Sequence, residues 1–286
     1  MRKGQLKTKP WIDKEFLELN WITAGRSLSE LAVLLNVDNR WLEGRAQQLK
    51  VFKGTNRTYS INKDKLFNST DPIVCYFAGL VATDGYVPAK INKIELSLTG
   101  DDELTLLKQL NNYFENTYPI YNYKDDNYRA VFSMDGIKEF FKKSFNIPDG
   151  PKTFDVSVPE TFYNEDCAKM YLRGCIDGDG SVGIDTKYPN FGTIRIVTGS
   201  KNLILGLIEI IARHTNIQLK QYYQNKHNSS SKYPGFECRG WRATAILEWM
   251  YSVYPEFGLK RKRDKFYASE FSKSAPHDSS RAIQLP

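Results

Sequence analysis

The sequence predicts an α+β fold in which one αββαββα unit occurs twice, preceded by a small trihelical helix-turn-helix module. Two apolar segments end in the same Asp-Gly pair, and each is followed by strand-like alternation and an amphipathic helix. A separate helical pattern occupies the start of the chain. The predicted boundaries are 1–55 for the module, 56–70 for a polar linker, 71–160 and 161–272 for the repeats, and 273–286 for a tail.

Composition sets the first limits on what this chain can be. Hydrophobic residues make up 41% and charged residues 26% of 286 residues, which excludes a disordered or fibrous chain. The apolar run at 75–82 is far shorter than the ~20 residues of a membrane-spanning helix. The basic start has no apolar stretch after it, so we expect no secretion signal. The four cysteines have no CxxC spacing, so neither a disulfide framework nor a cysteine zinc site is expected.

The N-terminal module carries much of the positive charge. The whole chain has a net charge of +7, and residues 1–60 contain 11 Lys or Arg against 6 Asp or Glu. Three short helices are predicted, opened by Asp13, by Ser27 with Glu30 in a capping box, and by Asp38. The short connection Asn36-Val37 is typical of a helix-turn-helix.

One face of the third helix bears side chains that can contact base edges or phosphates. These are Asn39, Arg40, Glu43, Gln47 and Lys50. The segment resembles trihelical, Myb-like helix-turn-helix modules over about 40 residues, which implies DNA binding. The alternative is a trihelical cap for protein interaction with an ordinary solvated face.

The internal repeat has two copies related by an offset of 95 residues. Gly79, Asp84 and Gly85 of the first copy correspond to Gly174, Asp179 and Gly180 of the second. Strand-rich stretches, amphipathic helices, further strands and closing helices follow in both copies, predicted at 86–99, 101–114, 118–134 and 136–145, and at 181–198, 201–214, 217–240 and 242–253.

Each repeat opens with a helix that is apolar on nearly all sides, which predicts that both helices are buried. Glycine inside a helix costs about 1 kcal/mol relative to alanine. We therefore expect Gly79 and Gly174 to form the interface between the repeats, where two helix backbones approach closely. Asp84 and Asp179 would then lie side by side at the helix ends. Gly85 and Gly180 are expected in the left-handed conformation that terminates helices.

Two carboxylates at adjoining helix C-termini form a strongly negative spot. Such oxygen ligands suit Mg²⁺, which keeps water and phosphate oxygens in its shell. Paired metal ions of this kind can stabilise the attacking and leaving oxygens of a phosphodiester displacement. The alternative is that Asp84 and Asp179 only terminate turns, but their occurrence as a matched pair favours a functional site.

The motifs FAGLVATDG (77–85) and LRGCIDGDG (172–180) resemble the two signatures of the single-chain LAGLIDADG homing endonucleases. The resemblance covers about residues 71–270. It implies two pseudo-symmetric repeats whose saddle-shaped antiparallel sheets lie in the major groove of DNA. It also implies double-strand cleavage of a long asymmetric target with 3′ overhangs, by a monomer that uses Mg²⁺ or Mn²⁺. Thr83, Gly178 and Arg173 depart from the family name, which has alanine at these positions.

The resemblance assigns roles to individual residues. Asp84 and Asp179, with the backbone carbonyls of Thr83 and Gly178, would bind metal. Lys152 and Lys260 match a basic residue that the family often carries after the last helix of each repeat, which implies catalytic lysines. Lys260 also belongs to the basic run 260–265, which alternatively binds the phosphate backbone together with Arg261 and Arg263.

The sheets would read the DNA sequence, with about half of their strand residues facing the DNA. The candidates are Tyr86, Lys90, Asn92, Lys93, Tyr121, Tyr123 and Arg129 in the first repeat, and Ser181, Lys187, Arg195, Lys220, Gln224 and Arg239 in the second.

Two other functions remain open on the same fold: an intron RNA maturase, which would bind intron RNA, and a DNA-binding regulator without cleavage. An intein is not expected, because the chain ends in Gln-Leu-Pro and not in His-Asn. A His-Asn-His nuclease is disfavoured, because His227-Asn228 has no partner motif. We expect an intracellular protein that is located with the DNA of a host, phage or organelle genome and has no membrane partner.

Overall fold

The computed structural model describes residues 12–23, 27–51, 59–151, 155–159, 162, 164–187, 189, 191–225 and 232–268. The chain divides into two compact units, Met1–Thr58 and Tyr59–Pro286. Within the described ranges, no helix is both long and apolar enough to cross a membrane.

The first unit is built from short helices around its own small core. They are α1 (Lys14–Leu17), which continues as a π-helical turn (Glu18–Thr23), α2 (Leu28–Leu35) and α3 (Asn39–Gln48). Asp13, Ser27 and Asp38 each accept a hydrogen bond from a backbone N–H at a helix start, and the capping box of Ser27 and Glu30 is complete. The core contains Ile12, Leu17, Leu31, Ala32, Leu42, Ala46 and Val51.

The second unit contains the αββαββα pattern twice, which confirms the predicted fold class. The first repeat comprises α5 (Pro72–Thr83), β1 (Gly85–Tyr86), β2 (Lys93–Thr99), α6 (Asp101–Tyr113), β3 (Tyr121–Lys124), β4 (Asn127–Ser133) and α7 (Ile137–Phe145). The second comprises α8 (Glu165–Asp179), β5 (Gly180–Ile184), β6 (Gly192–Val197), α9 (Lys201–Thr215), β7 (Tyr222–Asn225), β8 (Lys232–Arg239) and α10 (Trp241–Tyr251). Two further helices are α4 (Lys63–Leu66), before the first repeat, and α11 (Lys260–Tyr267), after the second.

Both sheets are antiparallel and have the same strand order, β1-β2-β4-β3 and β5-β6-β8-β7. Strand alternation buries Ile94 and Leu96 in the first sheet and Ile194 and Ile196 in the second. The other face of each sheet is polar and points away from the core. Its residues are therefore the ones available to a ligand.

The two inner helices, α5 and α8, meet at the expected pair of glycines. A Cβ atom on Gly79 would overlap the Tyr171 carbonyl oxygen and would lie 3.0 Å from the Gly174 Cα. A Cβ atom on Gly174 would overlap the Tyr76 carbonyl oxygen. The structure therefore brings the two backbones into direct contact, and only glycine fits at either position.

Two local features differ from expectation. Gly85 and Gly180 do not have positive φ; Gly180 has φ −92° and ψ 174°, because each inner helix runs directly into a strand. Glycine is required at both positions because there is no room for a side chain. A Cβ atom on Gly85 would lie 2.6 Å from the Val81 Cα, and one on Gly180 would lie 2.7 Å from the Ile176 Cα. In the segment expected as a linker, α4 is capped by Asn62 and buries Leu66 in the core of the second unit.

Candidate active site and nucleic-acid interface

The two acids stand where the inner helices end. Asp84 is the C-cap residue of α5, and Asp179 is the last residue of α8. The ends of the two motifs interlock: a Cβ atom on Gly178 would overlap the Thr83 hydroxyl and lie 3.1 Å from Oδ2 of Asp84. Thr83 and Asp84 of the first motif therefore lie directly against the second motif.

The same contact explains two departures from the family name. The Thr83 hydroxyl donates to the carbonyls of Gly79 and Leu80, each at 3.1 Å, and so stays against the helix. It fills the space that an alanine side chain at position 178 would need. Thr83 and Gly178 are thus a complementary pair, one larger and one smaller than alanine.

An open cleft of about 470 Å³ adjoins the second acid. Asp179 lines it together with Thr83 of the first motif and Tyr86 of β1, and residues 198–200 of the second repeat also line it. The cleft therefore draws residues from both repeats.

The donor set suits a hard cation that needs few protein ligands. No group of three or more His, Cys, Asp or Glu side chains forms a metal centre in the described residues. Two aspartates and nearby backbone carbonyls match Mg²⁺, which retains waters and takes phosphate oxygens from a substrate. The residues present thus fit the ion that the fold implies.

A lysine absent from the sequence-based candidates lies beneath the second motif. Lys262 is 4% exposed, and its Nζ donates to the carbonyls of Ile176 (2.6 Å), Asp177 (2.8 Å) and Gly180 (2.7 Å). It thereby adds a charged donor at the C-terminal end of α8, where the last carbonyls of a helix lack intrahelical partners; the Ile176 carbonyl also accepts from the backbone N–H of Gly180. Burial lowers the pKa of Lys262 to about 8, while the charges of Asp177 and Asp84 oppose this shift.

The basic run is therefore mostly structural. Lys260, the expected catalytic lysine, has a 68% exposed side chain and pairs with Asp264. Arg261 pairs with Glu103, and its backbone N–H donates to Asp102. Buried Arg263 donates to the Pro255 carbonyl at 2.6 Å.

The expected roles of Lys260 in catalysis and of Arg263 in DNA binding stay predictions, and the structure places Lys260 on the exposed side of α11 and Arg263 on its buried side. The physical reason is helical periodicity. Leu259, Lys262, Arg263 and Phe266 share the buried side of α11, at spacings of three and four residues. That pattern was visible in the sequence. Lys152, the other expected catalytic lysine, lies outside the described residues.

The outer face of the first sheet is aromatic and basic. Tyr86, Tyr121 and Tyr123 are all about half exposed, and the guanidinium of Arg129 lies 4.8 Å from the centre of the Tyr123 ring. Glu95 lies between Lys93 (2.5 Å) and Arg129 (3.8 Å) and holds both. The exposed residues Lys90 and Asn92 precede β2.

The second sheet carries a different pattern on its outer face. Arg195 occupies the central position, opposite Ser181 and Glu237, and it donates to the Tyr222 hydroxyl (2.9 Å) and to Gln224. At the edges, Arg239 pairs with Glu237 at 2.5 Å, and Lys187 and Lys220 are exposed. The central residue is thus acidic, Glu95, in one sheet and basic, Arg195, in the other.

The polar face of α3 is present in the first unit. Arg40, Glu43 and Gln47 are exposed on the helix, whereas the Asn39 amide donates to Glu43 at 2.9 Å. Lys50, expected on the same helix face, is exposed but lies beyond the end of α3, with φ 56°. Their role in DNA binding stays a prediction.

Two inner helices in contact at glycine, each ending in an aspartate and each leading into a four-stranded antiparallel sheet, define the LAGLIDADG fold. No family model and no curated protein matches this chain.

Solved structures similar to this chain include the homing endonuclease I-WcaI bound to its DNA recognition sequence, with 14% identity and a TM-score of 0.46 over 76% of this chain and 92% of that one. The I-SmaMI LAGLIDADG homing endonuclease bound to cleaved DNA is 11% identical, with a TM-score of 0.46 over 71% and 88% of the two chains. Full-length DUF199/WhiA from Thermatoga maritima is 16% identical, with a TM-score of 0.43 over 77% and 68%.

Proposed function

We propose that this protein is a site-specific endonuclease of the homing type, which hydrolyses both strands of a long DNA target and leaves 3′ overhangs. The observation that supports this most strongly is the interlocked pair of motifs, in which Asp84 lies against the second motif and Asp179 lines a cleft with the first. Two aspartates that only terminated helices would need neither the contact nor the cleft.

Asp84 and Asp179, with the carbonyls of Thr83 and Gly178, are the residues that would hold Mg²⁺ or Mn²⁺. When bound, the ion supplies positive charge at the attacking and leaving oxygens of the phosphodiester. The chain contributes a fixed charge of its own in Lys262. All three N–H donors of its ammonium group are taken by backbone carbonyls, so this group acts through its electric field and not by direct contact with substrate.

The outer faces of the two sheets would lie in the major groove. Tyrosine and arginine on these faces can contact phosphates, stack, or read base edges. Because Glu95 and Arg195 hold corresponding central positions with opposite charge, the two sheets present different patterns. A single chain with two unlike reading faces fits an asymmetric target and a monomeric enzyme.

The first unit is proposed as a second DNA contact. Its exposed α3 face and the positive charge of the first 60 residues support this role. It would extend the length of DNA covered without contributing to catalysis.

Cleavage of a randomised duplex library in Mg²⁺, followed by sequencing of the ends, tests the proposal. Asp84→Asn and Asp179→Asn are the matched controls, because they keep the shape of the side chain and remove its charge. We expect one long motif with staggered 3′ ends, absent in both variants. A folded protein that binds DNA but enriches no cut would refute cleavage. Binding to structured intron RNA, or to DNA alone, would then identify a maturase or a regulator.

A further inference from the structure

The second inner helix contains two buried residues of opposite charge that the first helix lacks. Arg173 is fully buried, and its guanidinium donates to the carbonyls of Val253 (3.4 Å), Tyr254 (2.9 Å) and Pro255 (3.3 Å). Asp177, one turn later on α8, is 3% exposed. The corresponding positions of the first motif, 95 residues earlier, are Ala78 and Ala82.

Asp177 binds the same loop from the other side. Its Oδ2 accepts from the Tyr76 hydroxyl (2.7 Å) and from the backbone N–H of Leu259 (3.1 Å). Gly258 completes the fit with φ +92°, since a Cβ atom there would lie 2.7 Å from Oδ2 of Asp177. Arg173 and Asp177 therefore hold residues 253–259 at both ends.

These two buried charges form no ion pair or hydrogen bond with each other in the described residues, so they are poorly explained as a source of stability. Nε of Arg173 and Oδ1 of Asp177 are buried and make no hydrogen bond within the described part of the chain. Replacing buried opposite charges by apolar residues often costs nothing or stabilises the protein. The first motif has alanine at both positions and still packs against its neighbours. The pair is better explained by what it holds in place.

What it holds in place is the start of α11. Leu259, which donates to Asp177, is the residue immediately before that helix, and Lys262 follows within its first turn. The Lys262 ammonium returns to the carbonyls of Ile176, Asp177 and Gly180, at the end of the same motif. One short segment is thus bound to α8 at both of its ends.

We infer that Arg173 and Asp177 are positioning residues that fix Lys262 at the end of the second motif and so give one of the two half-sites its own buried cation. The effect on cleavage rests on the proposed function, whereas the effect on Lys262 does not. The contacts of Arg173 and Asp177 with residues 253–259 form an anchor for Lys262. Loss of this anchor should free Lys262 and slow the cutting of one DNA strand more than the other.

Reductive methylation of lysines, followed residue by residue with mass spectrometry, tests the anchor without DNA. Lys260 is the internal reference, because it lies on the same helix and is exposed. In the wild-type protein, Lys262 should react at least ~10-fold more slowly than Lys260, because Lys262 is 4% exposed and three hydrogen bonds hold its Nζ, so that access of the reagent and not the lowered pKa limits the rate. In Arg173→Met its rate should approach that of Lys260.

Tyr76→Phe removes one hydrogen bond to Asp177 and serves if Arg173→Met does not fold. Its matched control is Tyr171→Phe, because Tyr171 is equally buried at the corresponding position of α8 and does not bind Asp177. Tyr76→Phe should raise the rate at Lys262, and Tyr171→Phe should leave it unchanged. Folded variants in which Lys262 remains as protected as in the wild type would overturn the inference.

Strand-resolved cleavage of the target selected from the library is the second readout. We expect Tyr76→Phe to slow one strand about 10-fold more than the other, because the half-sites are separate. An equal loss on both strands would indicate a merely structural role and would overturn the claim about the half-site. If the wild-type protein cuts neither strand, the proposed function fails, while the methylation result still decides the anchor.

Discussion

Replacing Gly79 with alanine places one methyl group where the two inner helices touch. The new Cβ atom would overlap the Tyr171 carbonyl oxygen and lie 2.9 Å from the Cys175 nitrogen and 3.0 Å from the Gly174 Cα. All three obstacles are backbone atoms, so no side-chain rotation can relieve them. Ordinary contact begins near 3.4 Å, so α5 and α8 must separate by about 1 Å at the Tyr171 carbonyl oxygen, which is the closest of the three atoms.

The free-energy change has two opposing parts. Alanine stabilises a helix by about 1 kcal/mol relative to glycine. Overpacking of a tight interface typically costs about 1–3 kcal/mol, and more when the backbone itself must move. Because the atoms that the new methyl group would meet all belong to the backbone of α8, we expect a net loss of about 2 kcal/mol in the unfolding free energy of the second unit.

Urea denaturation measures this change, and Gly44→Ala is the control. Gly44 lies inside α3 and is exposed, and a Cβ atom added to it would have no atom within 4 Å. The same substitution should therefore stabilise the first unit by up to about 1 kcal/mol. If Gly79→Ala were as stable as the wild-type protein while Gly44→Ala behaved as expected, the close approach of the helices would be wrong.

Three further outcomes are expected. Because the unfolded chain keeps a proton on Lys262 up to about pH 10.5 and the folded chain only to about pH 8, the unfolding free energy should rise with pH across this window. Urea denaturation measures the difference in unfolding free energy between the wild-type protein and Lys262→Met, which should increase by about 3 kcal/mol across this window. A difference that stays constant with pH would contradict this prediction. Deletion of residues 1–55 should weaken DNA binding and flatten the dependence of the affinity on salt concentration, while leaving some cleavage. If the affinity and its salt dependence were unchanged, the module would not bind DNA. Arg195→Ala should cost about 1–3 kcal/mol of affinity for the selected target in a binding titration, whereas Arg263→Ala should lower stability, since its guanidinium is buried.

The sequence determined the elements and their pairing across the repeat. Alternation placed the strands, helical periodicity placed the amphipathic helices, and the offset of 95 residues matched Gly79 with Gly174 and Asp84 with Asp179. These features depend on neighbours close in the chain or on a repeated pattern. They are therefore visible without knowing which distant residues meet.

The tertiary structure decided everything that depends on residues far apart in sequence. Thr83 fills the space left at Gly178, Arg173 binds carbonyls some 80 residues away, and Lys262 rather than Lys260 lies beneath the second motif. In a run such as KRKRDKF the lysines and arginines all carry the same positive charge. The spacing of Leu259 and Phe266 indicates which side of α11 is buried, but only the packing of α11 against the end of α8 brings the Lys262 ammonium to the carbonyls of the second motif.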